Sequence, residues 1–339
     1  MPTKDLGLGD ISEFAMLDLG HESRSIRGQS ITDSHGRVFR KLRISVTEAC
    51  QFRCFYCMPH ASPPVMRPGH LDAQGFARIA HALVGAGVCD LRVTGGEPTL
   101  RPDLDEILIA LGEVGGTRLS ITSNGQFLPK HFPALHQSGV RTLNISLDSL
   151  RPDSFKAITG RRLEPVLEAV HAAVADGFSV KVNCVVSRGR NDDEVHAFAE
   201  FAQRTGVEVR FLELMKIGPG AVDHTRDFVS AAEVESRLAT GFGWVPLARG
   251  VDETAYRIQL EGGGRIGFIA SESKPFCGGC SRLRLSVRGE LRSCLMRDDR
   301  IPLAGLDAQG ILRAAGLAFR AKPTERIERV DQAMHQIGG

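Results

Sequence analysis

The sequence predicts an α/β fold: an incomplete, open (β/α)6 barrel followed by a smaller C-terminal region. Two observations carry this. Six short apolar strands alternate with amphipathic helical stripes over residues 42–214, and such a rhythm argues for parallel strands joined by right-handed crossovers. After about Gly218 the rhythm gives way to glycine-rich loops and hairpin patterns. Six units fall short of the eight that close a barrel.

Residues 1–30 carry many Gly, Ser and Asp with little periodicity. They read as a disordered N-terminal extension, with the barrel expected over 31–217 and the smaller region over 218–339. Leu42 to Thr47 alternates and ends at a cysteine group. Phe76, Ile79, Ala80, Leu83 and Val84 form a helical stripe after Asp72, a capping residue. Leu91 to Thr94 is a strand ending in Gly95-Gly96, and Leu104, Ile107, Leu108 and Leu111 make the next helical face. Strands follow at 119–122 and 142–147, then a helix marked by Val166, Val170, Ala173 and Val174. Residues 179–186 form the fifth strand. Asn191-Asp192 reads as the cap of a helix through Val195, Phe198 and Ala202, and residues 207–214 form the sixth strand. By barrel logic the polar strand ends, including Thr94-Gly95, Thr122, Ser146, Lys181 and Met215, line the functional rim. Beyond residue 218, hairpins are expected at 256–269 and 283–291, the second turning at Arg288-Gly289, and a helix within 303–322.

Composition excludes several classes. The 339 residues are 42% hydrophobic and 24% charged, with a net charge of +2. Nothing there draws the chain to nucleic acid or an anionic membrane. With 6% aromatic residues there is no base-stacking platform, and no apolar run is long enough to span a bilayer. The N-terminus lacks a signal-peptide pattern, so a cytoplasmic location is expected, where disulfides are rare. Eight cysteines then need another explanation, and six of them fall into two tight groups. Cys89 and Cys184 lie on expected strands and read as core residues.

Cys50, Cys54 and Cys57 form a C-x3-C-x2-C triplet directly after the first strand. Three thiolates suit soft metals, zinc or iron–sulfur. A structural zinc site needs four ligands, and His60 is the nearest further candidate. A four-iron cluster held by three cysteines leaves one iron open to an outside ligand. Cys277, Cys280 and Cys294 repeat the theme with three thiolates and no histidine between Cys280 and Cys294. Arg282 and Arg284 follow on one face of a strand. Two guanidinium forks beside a metal site suit a phosphate or a purine edge.

The first triplet resembles the signature of the radical S-adenosylmethionine (SAM) superfamily, as does Gly95-Gly96-Glu97-Pro98 after the second strand. With the second triplet and its arginines, the chain resembles the GTP 3',8-cyclase family of molybdenum cofactor biosynthesis. That resemblance runs from about Ile31 to Gly339. Its carriers include residues 42–50, 92–98, 122–125, 144–148, 181–183, 210–215 and the terminal Ile-Gly-Gly. Departures are Gln51 in the first triplet, residues 216–227, and Gln332-Ala-Met334 before the tail.

The resemblance implies two [4Fe–4S] clusters, with SAM on the first and GTP beside the second. It implies cofactor contacts by Tyr56, Gly95, Gly96, Glu97, Thr122, Ser146, Lys181 and Met215. It implies substrate contacts by Arg43, Arg92, Arg210, Arg282 and Arg284, the last two also catalytic with Cys50, Cys54 and Cys57. It further implies a small reductant protein of flavodoxin or ferredoxin type, a homodimer, and product hand-over to cyclic pyranopterin monophosphate synthase. The competing readings are a radical enzyme acting on a peptide or another nucleotide, and a zinc-stabilised binding protein.

Overall fold

The computed structural model describes residues 30–58, 69–250, 252–328, 330, 331 and 334. The expected N-terminal extension (apart from Ser30), His60 and the terminal Gly-Gly lie outside the described residues.

Five βα units and a sixth strand form the first part of the described chain. They are β1 (Lys41–Ser45) with α1 (Ala73–Val84), β2 (Asp90–Thr94) with α2 (Leu104–Glu113), and β3 (Arg118–Ser123) with α3 (Phe132–Gln137). Then come β4 (Thr142–Ser146) with α4 (Pro152–Thr159) and α5 (Glu164–Ala175), β5 (Ser179–Val186) with α6 (Val195–Thr205), and β6 (Glu208–Glu213). The rest is α7 (His224–Asp227), α8 (Ala231–Leu238), β7 (Trp244–Leu247), β8 (Tyr256–Leu260), β9 (Arg265–Ile269), β10 (Arg282–Leu285), β11 (Glu290–Arg292), β12 (Ile301–Pro302) and α9 (Ala308–Arg320). Asp72 caps α1 by accepting from Gly75 N at 2.7 Å. The expected cap at Asn191 is not one. The Asn191 amide accepts from Ser187 N and donates to Asp148 O and Val185 O, tying the end of β5 to the loop after β4, and α6 starts after Glu194. Cys184 is buried as expected, but Cys89 precedes β2 and is half-exposed.

The twelve strands of the described residues share one sheet, in the order β12-β11-β10-β1-β2-β3-β4-β5-β6-β9-β8-β7. The sheet does not close, and its parallel part is wider than six strands. β10 pairs parallel with β1, and β9 pairs parallel with β6. The smaller C-terminal region is therefore not a separate layer resting on the barrel: each of its hairpins adds a parallel strand to one barrel edge. The hairpins themselves form where expected, β8 with β9 and β10 with β11. The edge partner of a hairpin is non-local and leaves no periodicity in the sequence.

Strand alternation sorts the side chains. Leu42 and Ile44, Leu91 and Val93, Leu119 and Ile121, and Leu143 and Ile145 are buried in the main apolar core with α1, α2 and α5. The alternate positions, Arg43, Arg92, Thr94, Thr122, Ser146, Asn183 and Arg210, face the hollow of the open barrel and line its cavities. The convex face makes the fold and the concave face is free for chemistry.

Candidate active site

The loop after β1 carries Cys50, Cys54 and Cys57. The turn after β2 holds it: Gly96 N donates to Thr47 O and Glu97 N to Ala49 O, both at 2.7 Å. A Cβ on Gly95 would stand 2.6 Å from Thr47 O, and one on Gly96 would stand 2.3 Å from Ala49 O. Glycine is required here because backbone meets backbone. The close approach is to the cysteine loop itself, although both glycines also line the cavity. Gln51 bonds with Asn124 and Gln126 at the end of β3, so this departure from the family pattern serves as a tie. Burial pushes the Cys50 thiol up to about 12, with Glu97 adding to the effect. Cys54 is driven well above its usual range by burial, then by Asp148, Cys57 and Cys50. Ligand-free, Cys50 and Cys54 keep their protons, and a bound metal would displace them.

Around this triad lies a cavity of about 220 Å3 whose wall includes Thr94, Gly95, Gly96, Thr122, Ser146, Asp148 and Asn183. The Oδ1 of Asn183 is buried and has no hydrogen-bond partner among the described residues, a waiting acceptor for a ligand donor. Tyr56 donates to Asp148 Oδ2 at 2.7 Å. Burial raises Asp148 to about 6.

Two expected cofactor contacts, Lys181 and Met215, sit elsewhere, and a third, Glu97, is otherwise engaged. The Glu97 carboxylate faces this cavity, but it is spent on Thr99 N and Oγ1, Ser123 Oγ and Asn124 N, so it pins the β2 turn to the β3 turn. Lys181 lies among the barrel's cations. Burial lowers it to about 8, followed by Arg210, with Glu208 opposing. It lines neither cavity among the described residues. Met215 lies in the wall of the second cavity.

That second cavity, of about 210 Å3, is lined by Cys277, Cys280, Cys294, Arg43, Arg282, Arg284, Lys322 and Arg326. Arg43, Tyr56, Val185, Leu212, Ile269 and Met334 belong to both cavity walls, so the two adjoin. Register explains the meeting: Arg43 is level with Arg284 of β10 on one side and Arg92 of β2 on the other. Arg282 donates from Nε to Cys280 Sγ at 3.3 Å and from Nη1 to Thr254 Oγ1, and its guanidinium lies over Phe276. It is held against the triad. Burial alone would raise the Cys280 thiol, yet Arg282 and Lys322 hold it down at about 6.

The cations strain against each other. Burial, then Arg284, Arg282 and Arg92, drive Arg43 well below the usual arginine range. Burial, then Arg282, lowers Arg284 to about 10. Arg92 also falls to about 10 through burial, which outweighs the attraction of Asp90, with Arg210 and Arg282 adding repulsion. Arg210 is paired with Glu208 at 2.6 Å. Gly267 of β9 leaves room beside it for Arg257, since a Cβ there would meet the Cγ of Arg210 at 3.2 Å and that of Arg257 at 3.6 Å. Sequence reasoning missed Asn124, Asp148, Asn183, Arg257, Lys322 and Arg326. Asn183 and Asp148 could have been found from inward alternation on β5 and from the strand-end position after β4.

Each cavity wall carries three thiols and, among the described residues, neither a fourth cysteine nor a histidine. Among the described residues no three His, Cys, Asp or Glu side chains converge on a point that could hold a single ion. Three soft donors spaced around a cavity fit a polynuclear cluster with one open position.

The Radical SAM superfamily model matches residues 44–202, and that of Molybdenum Cofactor Synthesis C matches 207–322. A GTP 3',8-cyclase from Synechocystis is 39% identical over 312 residues, covering 92% of this chain and 95% of that protein. The chain belongs to the GTP 3',8-cyclase family. A mitochondrial GTP 3',8-cyclase of Arabidopsis thaliana is 36% identical, covering 91% of this chain and 83% of its own. Molybdenum cofactor biosynthesis protein 1 of Bos taurus is 37% identical over 86% of this chain and 48% of its own length. Streptococcus suis SuiB bound to S-adenosylmethionine shares the fold at 15% identity, with a TM-score of 0.63 over 89% of this chain and 73% of that one. As a radical SAM cyclase family member, this chain has a first triad in the position expected to hold a [4Fe–4S] cluster and SAM.

Proposed function

We propose that this chain converts GTP to 3',8-cyclo-7,8-dihydro-GTP, the first step of molybdenum cofactor biosynthesis. The observation that carries the reading is the row of half-buried to buried, mutually repelling arginines between two cysteine triads. Buried like charges raise the free energy of the empty site, and a polyanion spanning the two cavities relieves it. A triphosphate has that charge, and guanidinium forks match its oxygens.

Bound at Cys50, Cys54 and Cys57, a [4Fe–4S] cluster with SAM supplies a 5'-deoxyadenosyl radical able to take the ribose 3' hydrogen. The chain's own residues do the rest by placement. Asn183, Thr122 and Ser146 offer polar atoms to the cofactor. Arg43, on the shared wall, holds the substrate across both cavities. Arg92 and Arg210 supply positive charge at the first cavity, with Lys181 next to them. Cys277, Cys280 and Cys294 would hold a second [4Fe–4S] cluster, which would supply a binding point for the guanine, with Arg284 in the same wall. Tyr56 and Met334 wall the junction and limit water there. The same reading assigns electron supply to a small flavodoxin- or ferredoxin-type protein, hand-over to cyclic pyranopterin monophosphate synthase, and a cytoplasmic homodimer.

The deciding test is anaerobic reconstitution, reduction, addition of SAM and GTP, and mass spectrometry. The expected products are 5'-deoxyadenosine and a GTP isomer with the 3',8 bond. 5'-Deoxyadenosine with intact GTP would refute the substrate while leaving the radical chemistry standing. Zinc without iron on metal analysis would refute both.

A further inference from the structure

The segment before β1 has no part in the reading above, yet it contains a buried ion pair bonded into the second triad. The Asp33 and Arg37 side chains are 0% and 3% exposed. Arg37 Nε donates to Asp33 Oδ2 at 2.6 Å. Its Nη1 donates to Cys277 O at 3.0 Å and Pro323 O at 2.7 Å, and its Nη2 to Lys322 O at 2.7 Å. Asp33 is preset for this. Its Oδ1 accepts from His35 N and Arg37 N, both at 3.0 Å, in a turn closed by Gly36, whose φ is 74°. One guanidinium thus joins three stretches far apart in sequence: residues 33–37, the Cys277 loop, and the turn after α9.

That turn carries Lys322. Its side chain is buried, and Nζ donates to Ser293 O at 2.7 Å, the carbonyl before Cys294. The same ammonium acts on the Cys280 thiol. Arg37 therefore reaches Cys277 directly, and Cys294 and Cys280 through Lys322. The planar fork sets three acceptors in fixed directions, which a lysine ammonium on a flexible stem does not reproduce. Groups one step outside a metal's ligands orient them in this way.

We propose that Arg37, oriented by Asp33, is a positioning residue for the second cysteine triad and so for the wall that receives the substrate base. This rests on the reading that the triad holds an iron–sulfur cluster. The test isolates that triad in the full chain by replacing Cys50, Cys54 and Cys57 with alanine. Iron per chain, its rate of removal by a chelator, and the electron paramagnetic resonance signal with and without GTP are then measured. The background chain should take up about four irons, as a [4Fe–4S] cluster requires. Arg37→Lys should still fold but with a lowered unfolding midpoint, because buried carbonyls lose their donors; it should lose iron about 10–100-fold faster, and GTP should no longer shift its signal. Asp33→Asn should move both readouts the same way, and it decides the matter if Arg37→Lys does not fold. Equal iron loss with an intact GTP-induced shift in both variants overturns the clamp alone. A background chain that takes up no iron overturns the cluster reading and the clamp with it.

Discussion

Replacing Gly96 with alanine tests the claim that the glycine pair docks the cysteine loop. The added Cβ would lie 2.3 Å from Ala49 O, 2.7 Å from Ala49 C and 2.8 Å from Glu48 O. Ordinary contact begins near 3.4 Å, so the two backbones must part by about 1 Å. That movement strains the 2.7 Å bonds Gly96 N to Thr47 O and Glu97 N to Ala49 O. Overpacking costs about 1–3 kcal/mol, and two weakened backbone bonds about 0.5–1.5 kcal/mol each, giving about 2–6 kcal/mol. The assay is denaturant unfolding of the metal-free chain, with iron retention by the reconstituted one. Gly278→Ala is the control, because nothing lies within 4 Å of its Cβ position, and a change within about 0.5 kcal/mol is expected. An unfolding midpoint and iron content for Gly96→Ala equal to the parent's would refute the docking argument.

Arg43→Met should raise the unfolding midpoint of the ligand-free chain, because it removes a half-buried cation from a repelling row, while GTP affinity falls; calorimetry and GTP titration read the two effects, and a lowered midpoint would count against the repulsion. Asp148→Asn should flatten part of the pH dependence of stability. Burial raises Asp148 to about 6 in the folded chain, above its unfolded value near 3.9. Between these limits the folded state binds more protons, so this group's contribution falls as pH rises from about 4 to about 6, by about 3 kcal/mol in all. Parent and variant unfolding curves compared across that window should diverge, and parallel curves would contradict the raised value. Cys294→Ala should leave 5'-deoxyadenosine release intact but lose the cyclised product; normal product would remove the second triad from the chemistry. Arg284→Ala should weaken GTP binding, and an unchanged dissociation constant would take Arg284 out of the site.

Much of the barrel was legible because its signals are local. Residues 179–186 alternate between core and hollow along the whole of β5, and α1 begins where Asp72 and the stripe from Phe76 place it. The weaker elements escaped for equally physical reasons. α3 and α8 are six and eight residues long, too short for a periodic pattern to stand out. Asn191 looked like a cap because asparagine favours caps, but tertiary partners claimed its amide. The resemblance places Lys181 and Met215 with the cofactor contacts. The structure groups Lys181 with Arg210 and Arg92, and Met215 with the second triad.

The sequence by itself determined the two thiol triads, the alternating strands and the arginines that share a strand face with them. Each follows from spacing of a few residues, which strand and loop geometry translate directly into position. The tertiary structure alone decided how these pieces meet. It placed β10 beside β1 and β9 beside β6, which brings the second triad to the mouth of the same hollow. It lined up Arg284, Arg43 and Arg92 across three strands drawn from both ends of the chain. It also gave Arg37 carbonyl partners 240, 285 and 286 residues away. Contacts of that range arise from closing long loops around a common core, and no periodicity along the chain records them.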